Sequence, residues 1–467
     1  MVTSNPLYIQ VKEALLKKIV DGQYIPGDSI PSEPKLAQDF GTSISTIRQA
    51  IALLVDEGVL VIKRGKGTFV TTKKNVINFM SWLPETKQGQ IILEDLIDLF
   101  HKKYSTIQVE IIPTTYSKAR KDLVNLISQG SAPDVVQIVS HWTSYLASMG
   151  AFTPLEEILS RENLTSRSFE KDLLGGIYKD RLYSVAWGLC PLAIIANREV
   201  LAKAGVTQIQ QPISIDTFTE LCQRVDHFYQ SQDKYCFGMC ISNEETDFLR
   251  MIPFLLAFRG GFVDMQGNVI LNSKENIKAF EWLKKFVNSC NVFRSDIFTI
   301  RNRFAKGDIA FMIDGPWIKY QLEEITKNDF ETNFEVVLNP ISISSKSYSW
   351  NYNHALAICT QSGKKIQAGK FIDAVTNDAE LSYYYFSKTG HLPNNMQHLK
   401  THNYNSNFFN TFKLQLENAR AINAQNEMFE KAMRFCINAV EKIFFENVSI
   451  EAELNEKAEY LKMLYEE

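Results

Sequence analysis

Five of the six tryptophans in this 467-residue sequence stand beside strand-like runs of apolar and β-branched residues. Flat apolar rings beside a few hydrogen-bonding groups suit a sugar, which has C–H patches on its faces and hydroxyls at its edge. Loops at the carboxyl ends of strands line the ligand crevice of open α/β sheets. We therefore expect an aromatic cleft built from Trp82, Trp142, Trp187, Trp317 and Trp350, with Tyr352 added. The alternative for each ring is that it only fills a gap between a strand and the next helix.

The sequence lacks the residue patterns of common enzymes. Its seven histidines are scattered, and there is no HExxH, no GxSxG and no paired-carboxylate signature. We predict no catalytic residue, no metal and no cofactor, although His141, beside Trp142, could bond a ligand. One enzyme-class alternative remains open: an aminotransferase-like domain with Lys346 as the lysine that binds pyridoxal phosphate.

Length and composition indicate a globular protein of two or three domains. Hydrophobic residues make up 45% and charged residues 22% of the 467 positions, which is ordinary for a folded protein of this length. No export signal is recognisable and no apolar run approaches 18 residues, so we expect a cytoplasmic protein without a membrane segment. The seven cysteines are scattered, without CxxC pairs, and are predicted to be reduced thiols in the core.

Charge is distributed unevenly along the sequence. Residues 1–74 hold ten Lys or Arg against seven acids, a net charge of +3, whereas the whole sequence has −3 and the remainder therefore −6. A basic head on an acidic body predicts a polyanionic partner for the head alone.

The first 70 residues carry the pattern of a winged helix. Ser32 and Ser43 are predicted N-caps of two short helices separated at Gly41, an arrangement typical of a helix-turn-helix. The segment "VLVIKRGKGTFVT" then reads as two strands joined by a tight turn. Glycines in a hairpin have a structural use, but the cations at its tip are well placed for phosphates or a minor groove.

The stretch "PGDSIPSEPKLAQDFGTSISTIRQAIALLVDEGVLVIKRGKGTFV" resembles the DNA-binding domain of GntR-type bacterial regulators over nearly its whole length. Pro34 and Ile44 depart from that family, whose members often carry arginine there; fewer cations in the groove imply a weaker operator affinity or a shifted sequence preference. The resemblance implies that the major groove is read by Ser43, Ser45, Thr46 and Arg48, that the wing is Lys63, Arg64, Gly65, Lys66 and Gly67, and that Ser32 and Lys35 also face DNA.

Beyond a short polar hinge at residues 71–75, strands and helices alternate as far as about residue 390, and mainly helix follows. This alternation predicts an α/β fold in which helices cover a mostly parallel sheet.

This part of the chain resembles bacterial extracellular solute-binding proteins of the maltose-receptor type. The resemblance rests on "INFMSWLPE", "SQGSAPDVVQI", "AWGLCPLAIIANREVL", "FAKGDIAFMIDGPW", "WNYNHALAI" and "KTGHLPNN". It implies a two-lobed periplasmic-binding-protein-like α/β domain whose lobes are joined by crossing segments near 186–193, 350–356 and 390–394. The five tryptophan loops would face the cleft, with Glu85, Asp314 and Asn353 as partners for sugar hydroxyls.

We therefore expect an N-terminal winged helix-turn-helix at residues 1–72 and a sensor domain at 73–467. Lobe 1 is predicted at 76–187 and 354–390, and lobe 2 at 190–350 and 393–467. The predicted function is a non-enzymatic regulator, a homodimer that binds a double-stranded DNA operator and responds to a sugar or oligosaccharide. The alternative is that the receptor-like domain has lost its ligand and serves dimerisation or protein interaction.

Overall fold

The computed structural model describes most of the chain, in twelve ranges. These are residues 6–56, 58–71, 75–159, 173–230, 233–241, 245–261, 263–264, 268–343, 346–401, 404–420, 429–446 and 448–466. The predicted boundary between residues 72 and 73, and most of the hinge at 71–75, lie outside them. We retain the predicted domain boundaries as a proposal.

The head is a winged helix, as predicted. Helices α1 (Leu7–Val20), α2 (Glu33–Asp39) and α3 (Ile44–Asp56) precede an antiparallel hairpin of β1 (Leu60–Lys63) and β2 (Gly67–Val70). The Ser43 hydroxyl accepts from the backbone N–H of Thr46 at 3.2 Å and so caps α3. Ser32 occupies the N-cap position of α2, but its side chain makes no capping bond.

The first lobe is built on a six-stranded sheet in the order β16-β8-β15-β5-β3-β4. Its strands are β3 (Asn75–Ser81), β4 (Ile107–Pro113), β5 (Val135–Val139), β8 (Ser184–Leu189), β15 (His354–Ile358) and β16 (Leu392–Pro393). The accompanying helices are α4 (Lys87–Lys103), α5 (Tyr116–Ser128), α6 (Thr143–Ser148), α14 (Lys365–Asn377) and α15 (Ala379–Thr389). A small hairpin, β6 (Ile177–Tyr178) with β7 (Arg181–Leu182), precedes β8.

The second lobe is built on a five-stranded sheet in the order β11-β10-β12-β9-β13. Its strands are β9 (Ala193–Asn197), β10 (Tyr235–Cys240), β11 (Val292–Ser295), β12 (Ile309–Asp314) and β13 (Phe334–Val337). Its helices are α7 (Arg198–Lys203), α8 (Ile215–Tyr229), α9 (Glu245–Ala257), α10 (Lys274–Ser289), α11 (Ile297–Ala305), α12 (Ile318–Thr326) and α13 (Phe330–Asn333).

The C-terminal region is mainly helical, as predicted. Its helices are α16 (Met396–Thr401), α17 (Asn407–Glu417), α18 (Phe429–Phe445) and α19 (Ile450–Glu466). Helix α16 packs on β16 and α15 of the first lobe, whereas α17 packs on β13, α18 on α9 and α19 on α10 of the second lobe. No helix in the described ranges is long and apolar enough to cross a membrane.

The expectation of a mostly parallel sheet is wrong, because both sheets are mixed. Strand β3 runs parallel to β4 and β5, and β10 runs parallel to β11 and β12. The pairs β5–β15, β15–β8, β8–β16, β12–β9 and β9–β13 are antiparallel. The physical reason is that β8, β9, β15 and β16 flank the passages between the lobes, without the crossover helix that would make neighbours parallel.

Three segments pass between the lobes. The first joins β8 to β9, the second joins β14 (Ser349–Trp350) to β15, and the third follows β16 and leads, by way of α16, to α17. The first two are hydrogen-bonded to each other, since the N–H of Tyr352 donates to the carbonyl of Cys190 at 2.9 Å. Strand β14 also pairs with β17 (Ala419–Arg420).

The head lies against the first lobe. Helix α1 packs on α14, and the Lys370 ammonium lies 2.8 Å from a carboxylate oxygen of Asp21, which ends α1. The same ammonium lies 5.2 Å from the centre of the Tyr104 ring. The winged helix is therefore held by side-chain contacts as well as by its covalent connection.

Candidate functional site

A cavity of about 860 Å³ lies where the two lobes face each other. The first lobe contributes the loop after β3 and the start of α5, and the second contributes α11 and α12 with the turn after β12. The crossing segments close one side with Leu192, Tyr352 and His354. Its volume is within the roughly 300–1,000 Å³ that is usual for small-molecule sites.

Trp82 forms the first-lobe wall of this cavity. Strand β3 ends at Ser81, and a 3-10 turn over Leu83–Glu85 follows, so the indole stands at the sheet edge. Its ring lies 5.5 Å from Tyr116 and 5.2 Å from His354, both in edge-on geometry. Such edge-to-face contacts fix the plane of the ring.

Trp317 forms the opposite wall. Strand β12 ends at Asp314, and the Gly315-Pro316 turn brings Trp317 to the start of α12. A β-carbon at residue 315 would clash with the indole, so glycine is required for the ring to fold back over the turn. The indole stacks on His354 at 5.4 Å with an angle of 10° and meets Tyr352 edge-on at 6.0 Å.

The polar groups of the cavity include a carboxylate from each lobe, Glu85 and Glu324. Desolvation raises the pKa of Glu85 above its usual value, and the N–H of Tyr116, which donates to it at 3.2 Å, counteracts part of that rise. The Tyr116 hydroxyl is hydrogen-bonded to the Tyr352 hydroxyl, which joins the first lobe to a crossing segment.

Asp314 does not line the cavity, contrary to the expectation that it meets sugar hydroxyls. It is fully buried, and its oxygens accept from Arg301 at 2.7 and 3.0 Å and from Arg250 at 3.1 Å. Burial alone would raise the pKa of Asp314, but the two guanidinium groups and the Gly315 N–H outweigh it, so the pKa is lowered. The carboxylate thus holds two arginines in the cavity wall.

Trp142 and His141 form a second layer behind the wall. Both are buried and neither lines the cavity. The Trp142 ring lies 6.2 Å from Trp82 and 5.9 Å from Tyr116, while His141 lies 5.2 Å from Tyr352. These two residues support the rings that face the cavity.

Three further expectations for the cleft are not met. Trp187 lies inside β8, a central strand, and stacks on Tyr385 at 4.0 Å, so it belongs to the first-lobe core. Trp350 is 5% exposed in β14, where its carbonyl accepts from Leu192. Asn353 is buried and its side-chain oxygen accepts from the N–H of Cys190 at 3.3 Å, so it joins two crossing segments.

Sequence reasoning missed several residues of the cavity, and only one of them carries a signal that could have identified it. Arg301 lies on the buried face of α11, together with Ile297, Ile300 and Phe304. A charged residue on an apolar helix face requires a buried partner, so its position in the helix pattern indicates a buried ion pair. Tyr116 and Tyr320 stand near helix starts, where no local pattern distinguishes them from ordinary core residues.

The DNA-facing residues predicted for the head lie on its surface. Ser32, Lys35, Ser43, Ser45, Arg48, Lys63, Arg64, Gly65, Lys66 and Gly67 are exposed, and Thr46 is half-buried. The Ser43 hydroxyl lies 2.8 Å from those of both Ser45 and Thr46, so three hydroxyls cluster at the start of α3. At the wing, Gly65 and Gly67 have φ of +71° and +111°, which requires glycine in this turn.

Two of the predicted DNA contacts are engaged within the head. The Arg48 guanidinium donates to Glu33 at 2.7 Å, and the Lys35 ammonium lies 2.9 Å from Asp39. Lys63 lies 4.5 Å from the centre of the Phe69 ring, which directs its ammonium along the hairpin. Both ion pairs are exposed, so exchange for phosphate or a base edge costs little.

Two protein families match the chain. Residues 95–407 match the family of bacterial extracellular solute-binding proteins, and residues 7–70 match the gntR family of bacterial regulatory proteins. The histidine utilization repressor of Klebsiella aerogenes is 48% identical over 69 residues, which are 15% of this chain and 29% of that protein. The chain therefore spans less than a third of the length of this regulator.

Solved structures resemble the rest of the chain. The GacH receptor of Streptomyces glaucescens, determined unliganded and with acarbose, has a TM-score of 0.74 at 17% identity and covers 85% of this chain and 99% of its own. A solute-binding protein of an ABC transporter from Thermotoga lettingae, bound with α-D-tagatose, has a TM-score of 0.73 at 20% identity, with coverages of 84% and 100%. At these identities the likeness shows the fold.

The chain belongs to the bacterial extracellular solute-binding protein family, and a gntR-family helix-turn-helix domain precedes the matched region. The predicted family and fold class are confirmed. The matched families are described as solute-binding and regulatory proteins and the curated relative is a repressor, in agreement with the prediction that the chain is not an enzyme. The aminotransferase-like alternative around Lys346 is wrong, because that residue lies inside the solute-binding match.

Proposed function

We propose that this protein is a transcription regulator whose solute-binding domain binds a sugar or oligosaccharide and whose winged helix binds a DNA operator. The observation that carries the proposal is the cavity of about 860 Å³ between Trp82 and Trp317, on the same chain as a gntR-type head. The proposed setting is the cytoplasm, where a DNA-binding head has its target, and the proposed assembly is a homodimer.

The chemistry of the cavity favours a carbohydrate. Trp82 and Trp317 offer flat apolar faces from opposite lobes, and Tyr116, Tyr320 and Tyr352 add three more rings to the lining. Glu85, Glu324 and Arg301 supply acceptors and donors for hydroxyl groups. Rings that stack on C–H faces, together with charged groups that hydrogen-bond to hydroxyls, are complementary to a sugar and poorly matched to a purely apolar ligand.

The proposed signal is closure of the lobes. The cavity walls belong to different lobes, so a ligand that contacts both Trp82 and Trp317 favours the closed arrangement. A ligand shifts such an equilibrium only by its differential affinity, and inverting a 1:99 balance requires about 5.5 kcal/mol. Because α1 packs on α14 and Lys370 pairs with Asp21, movement of the first lobe carries the head with it.

In a homodimer, two heads would read two half-sites separated by one helical turn of DNA, about 34 Å, or a multiple of it. Closure would then change the spacing or tilt of the two wings and so alter operator affinity. The three hydroxyls at the start of α3 and Arg48 would contact base edges, while Lys63, Arg64 and Lys66 would contact phosphates.

Tryptophan fluorescence tests the sensor directly. The protein is titrated with a panel of mono- and oligosaccharides, alongside Trp317→Ala and the control Trp282→Phe. Trp282 packs on Phe254 and Phe286 in the second lobe and does not line the cavity, so its variant should retain the ligand response. We expect a sugar to change the emission of the wild type and of the control but not that of Trp317→Ala.

The same samples separate the proposal from its alternative. Operator binding is measured by fluorescence anisotropy with and without the sugar, and the oligomeric state by light scattering. If no sugar perturbs emission and Trp317→Ala leaves regulation unchanged, the sensor proposal fails. A domain that serves only dimerisation or protein interaction would then be the better account.

A further inference from the structure

Three neighbouring strands of the first-lobe sheet, β16, β8 and β15, each bring one metal-ligating side chain to a single buried point. Cys190 lies between β8 and β9, His354 begins β15, and His391 immediately precedes β16. One ligand atom from each residue lies within 4.8 Å of the other two, and all three residues are buried.

The His391 imidazole is held in this cluster without a hydrogen bond to its ring nitrogens. It is 1% exposed, and within the described part of the chain neither ring nitrogen has a hydrogen-bond partner. The ring packs directly on Gly188, where a β-carbon would lie 2.9 Å from the nearest His391 atom. A buried imidazole with two unsatisfied nitrogens is unfavourable, and bonding of one nitrogen to a metal ion would relieve part of that cost.

The other two side chains face the same point. The imidazoles of His354 and His391 lie 4.6 Å apart, centre to centre, and Trp317 covers His354 from the cavity side. The Cys190 thiol donates to the carbonyl of Gly188 at 3.3 Å, which places its sulfur beside the residue on which His391 packs.

We propose that Cys190, His354 and His391 form a binding site for Zn²⁺ that ties together the end of β8, the start of β15 and the residue before β16. Thiolate and imidazole are the ligand types that zinc prefers, and three protein ligands leave a fourth position for water. Binding removes the thiol proton of Cys190, which is released to solvent. Zinc bonds of about 2.0–2.3 Å hold ligand atoms roughly 3.3–3.7 Å apart, so ligand atoms that all lie within 4.8 Å of one another need to approach by at most about 1.5 Å.

This site does not depend on the proposed sugar response. His354 also lines the cavity, which gives the metal a route from solvent and places it behind the Trp317 wall. Because Cys190 lies on the passage from β8 to β9, bound zinc restricts the movement of that passage relative to the first-lobe sheet.

Metal binding is tested on the full chain, freed of metal by a chelator and then dialysed. Zn²⁺ is titrated against a chromogenic chelator, and Co²⁺ is used as a spectroscopic substitute. We expect one tight zinc site and a thiolate-to-cobalt charge-transfer band in the wild type. Cys190→Ser and His391→Gln should lower the zinc affinity at least 100-fold and abolish the band.

Two cysteine variants serve as controls. Cys359→Ser changes a buried thiol at the end of β15, outside the cluster. Cys236→Ser disrupts a second group with suitable atoms, formed with Asp226 and Cys290. Both variants should bind zinc as the wild type does.

Three results would overturn the proposal: a wild type without the cobalt band, a Cys190→Ser or His391→Gln variant with wild-type zinc affinity, or loss of zinc in Cys236→Ser alone. Circular dichroism of the metal-free variants distinguishes lost ligands from lost folding. Because Cys236 and Cys290 could also give a cobalt band, the spectrum of Cys236→Ser, in which Cys190 is intact, decides the matter even if a Cys190 or His391 variant fails to fold.

Discussion

Replacement of Asp314 by asparagine should destabilise the protein strongly, because this carboxylate neutralises two buried guanidinium groups. The Asp314 side chain is fully buried, and those of Arg301 and Arg250 are only 8% and 10% exposed. Removal of one partner from a buried ion pair costs about 3–5 kcal/mol. Asparagine keeps the volume but leaves two positive charges without compensation, so we expect a loss of that size in the free energy of unfolding.

Asp308→Asn is the matched control, because Asp308 lies just before the same strand and also pairs with two cations. Its carboxylate lies 3.1 Å from Lys234 and 3.4 Å from Arg303, but these side chains are 23–27% exposed. Ion pairs that reach solvent contribute about 0–1 kcal/mol, so the free energy of unfolding of the control variant should decrease only slightly.

Urea unfolding, followed by circular dichroism, measures both variants. The pKa of Asp314 is lowered below 3.8, so its contribution is complete above that pH and is lost as the pH falls further. The difference in the free energy of unfolding between Asp314→Asn and the wild type should therefore be constant between about pH 5 and 8. Equal losses in the two variants, or a loss below about 1 kcal/mol for Asp314→Asn, would refute this account of the buried cluster.

Five other substitutions test the head, the buried His354 and the contact between the head and the first lobe. Glu33→Gln should release Arg48 and raise operator affinity in anisotropy titrations. Arg48→Ala should lower operator affinity and relax sequence preference, whereas Lys66→Ala should mainly reduce the salt dependence of binding. If Arg48→Ala and Lys66→Ala lost affinity equally, and only through a changed salt dependence, base readout in the groove would be contradicted. Burial lowers the pKa of His354 from 6.5 to about 3, so the free energy of unfolding of the metal-free protein should decrease as the pH falls from 6.5 towards 3. The decrease should be less steep in His354→Gln, and equal dependence of stability on pH in the two proteins would contradict this. Lys370→Ala should preserve sugar and operator binding separately but weaken the effect of sugar on the operator, and an undiminished effect would show that the contact between α1 and α14 does not transmit the signal.

The head illustrates how much local sequence specifies. Gly41, Gly65 and Gly67 have positive φ, and Ser43 caps α3 through its own hydroxyl. Interactions between neighbours in sequence determine these features, so the winged helix was predictable element by element. The ion pair between Arg48 and Glu33 was not predictable, because Glu33 lies 15 residues away on another helix.

The cleft illustrates the opposite case. Trp82 and Trp187 both follow apolar residues of a strand, yet the first faces the cavity and the second lies in the core. The difference is that β3 ends before Trp82, whereas β8 continues to Leu189 between β15 and β16. Where a strand ends depends on its neighbours in the sheet, and a single-sequence pattern does not contain them.

The sequence by itself determined the two families, the order of the α/β elements, and the placing of Trp82 and Trp317 just past the ends of strands. Only the tertiary structure decided which rings meet across the lobes, that Asp314 holds Arg250 and Arg301, and that Cys190 and His391 come together. The physical reason is how far apart in the sequence the contacting residues are. Caps, turns and strand patterns arise from contacts within a few residues, whereas a cavity and a buried charge cluster arise where distant segments are packed against each other.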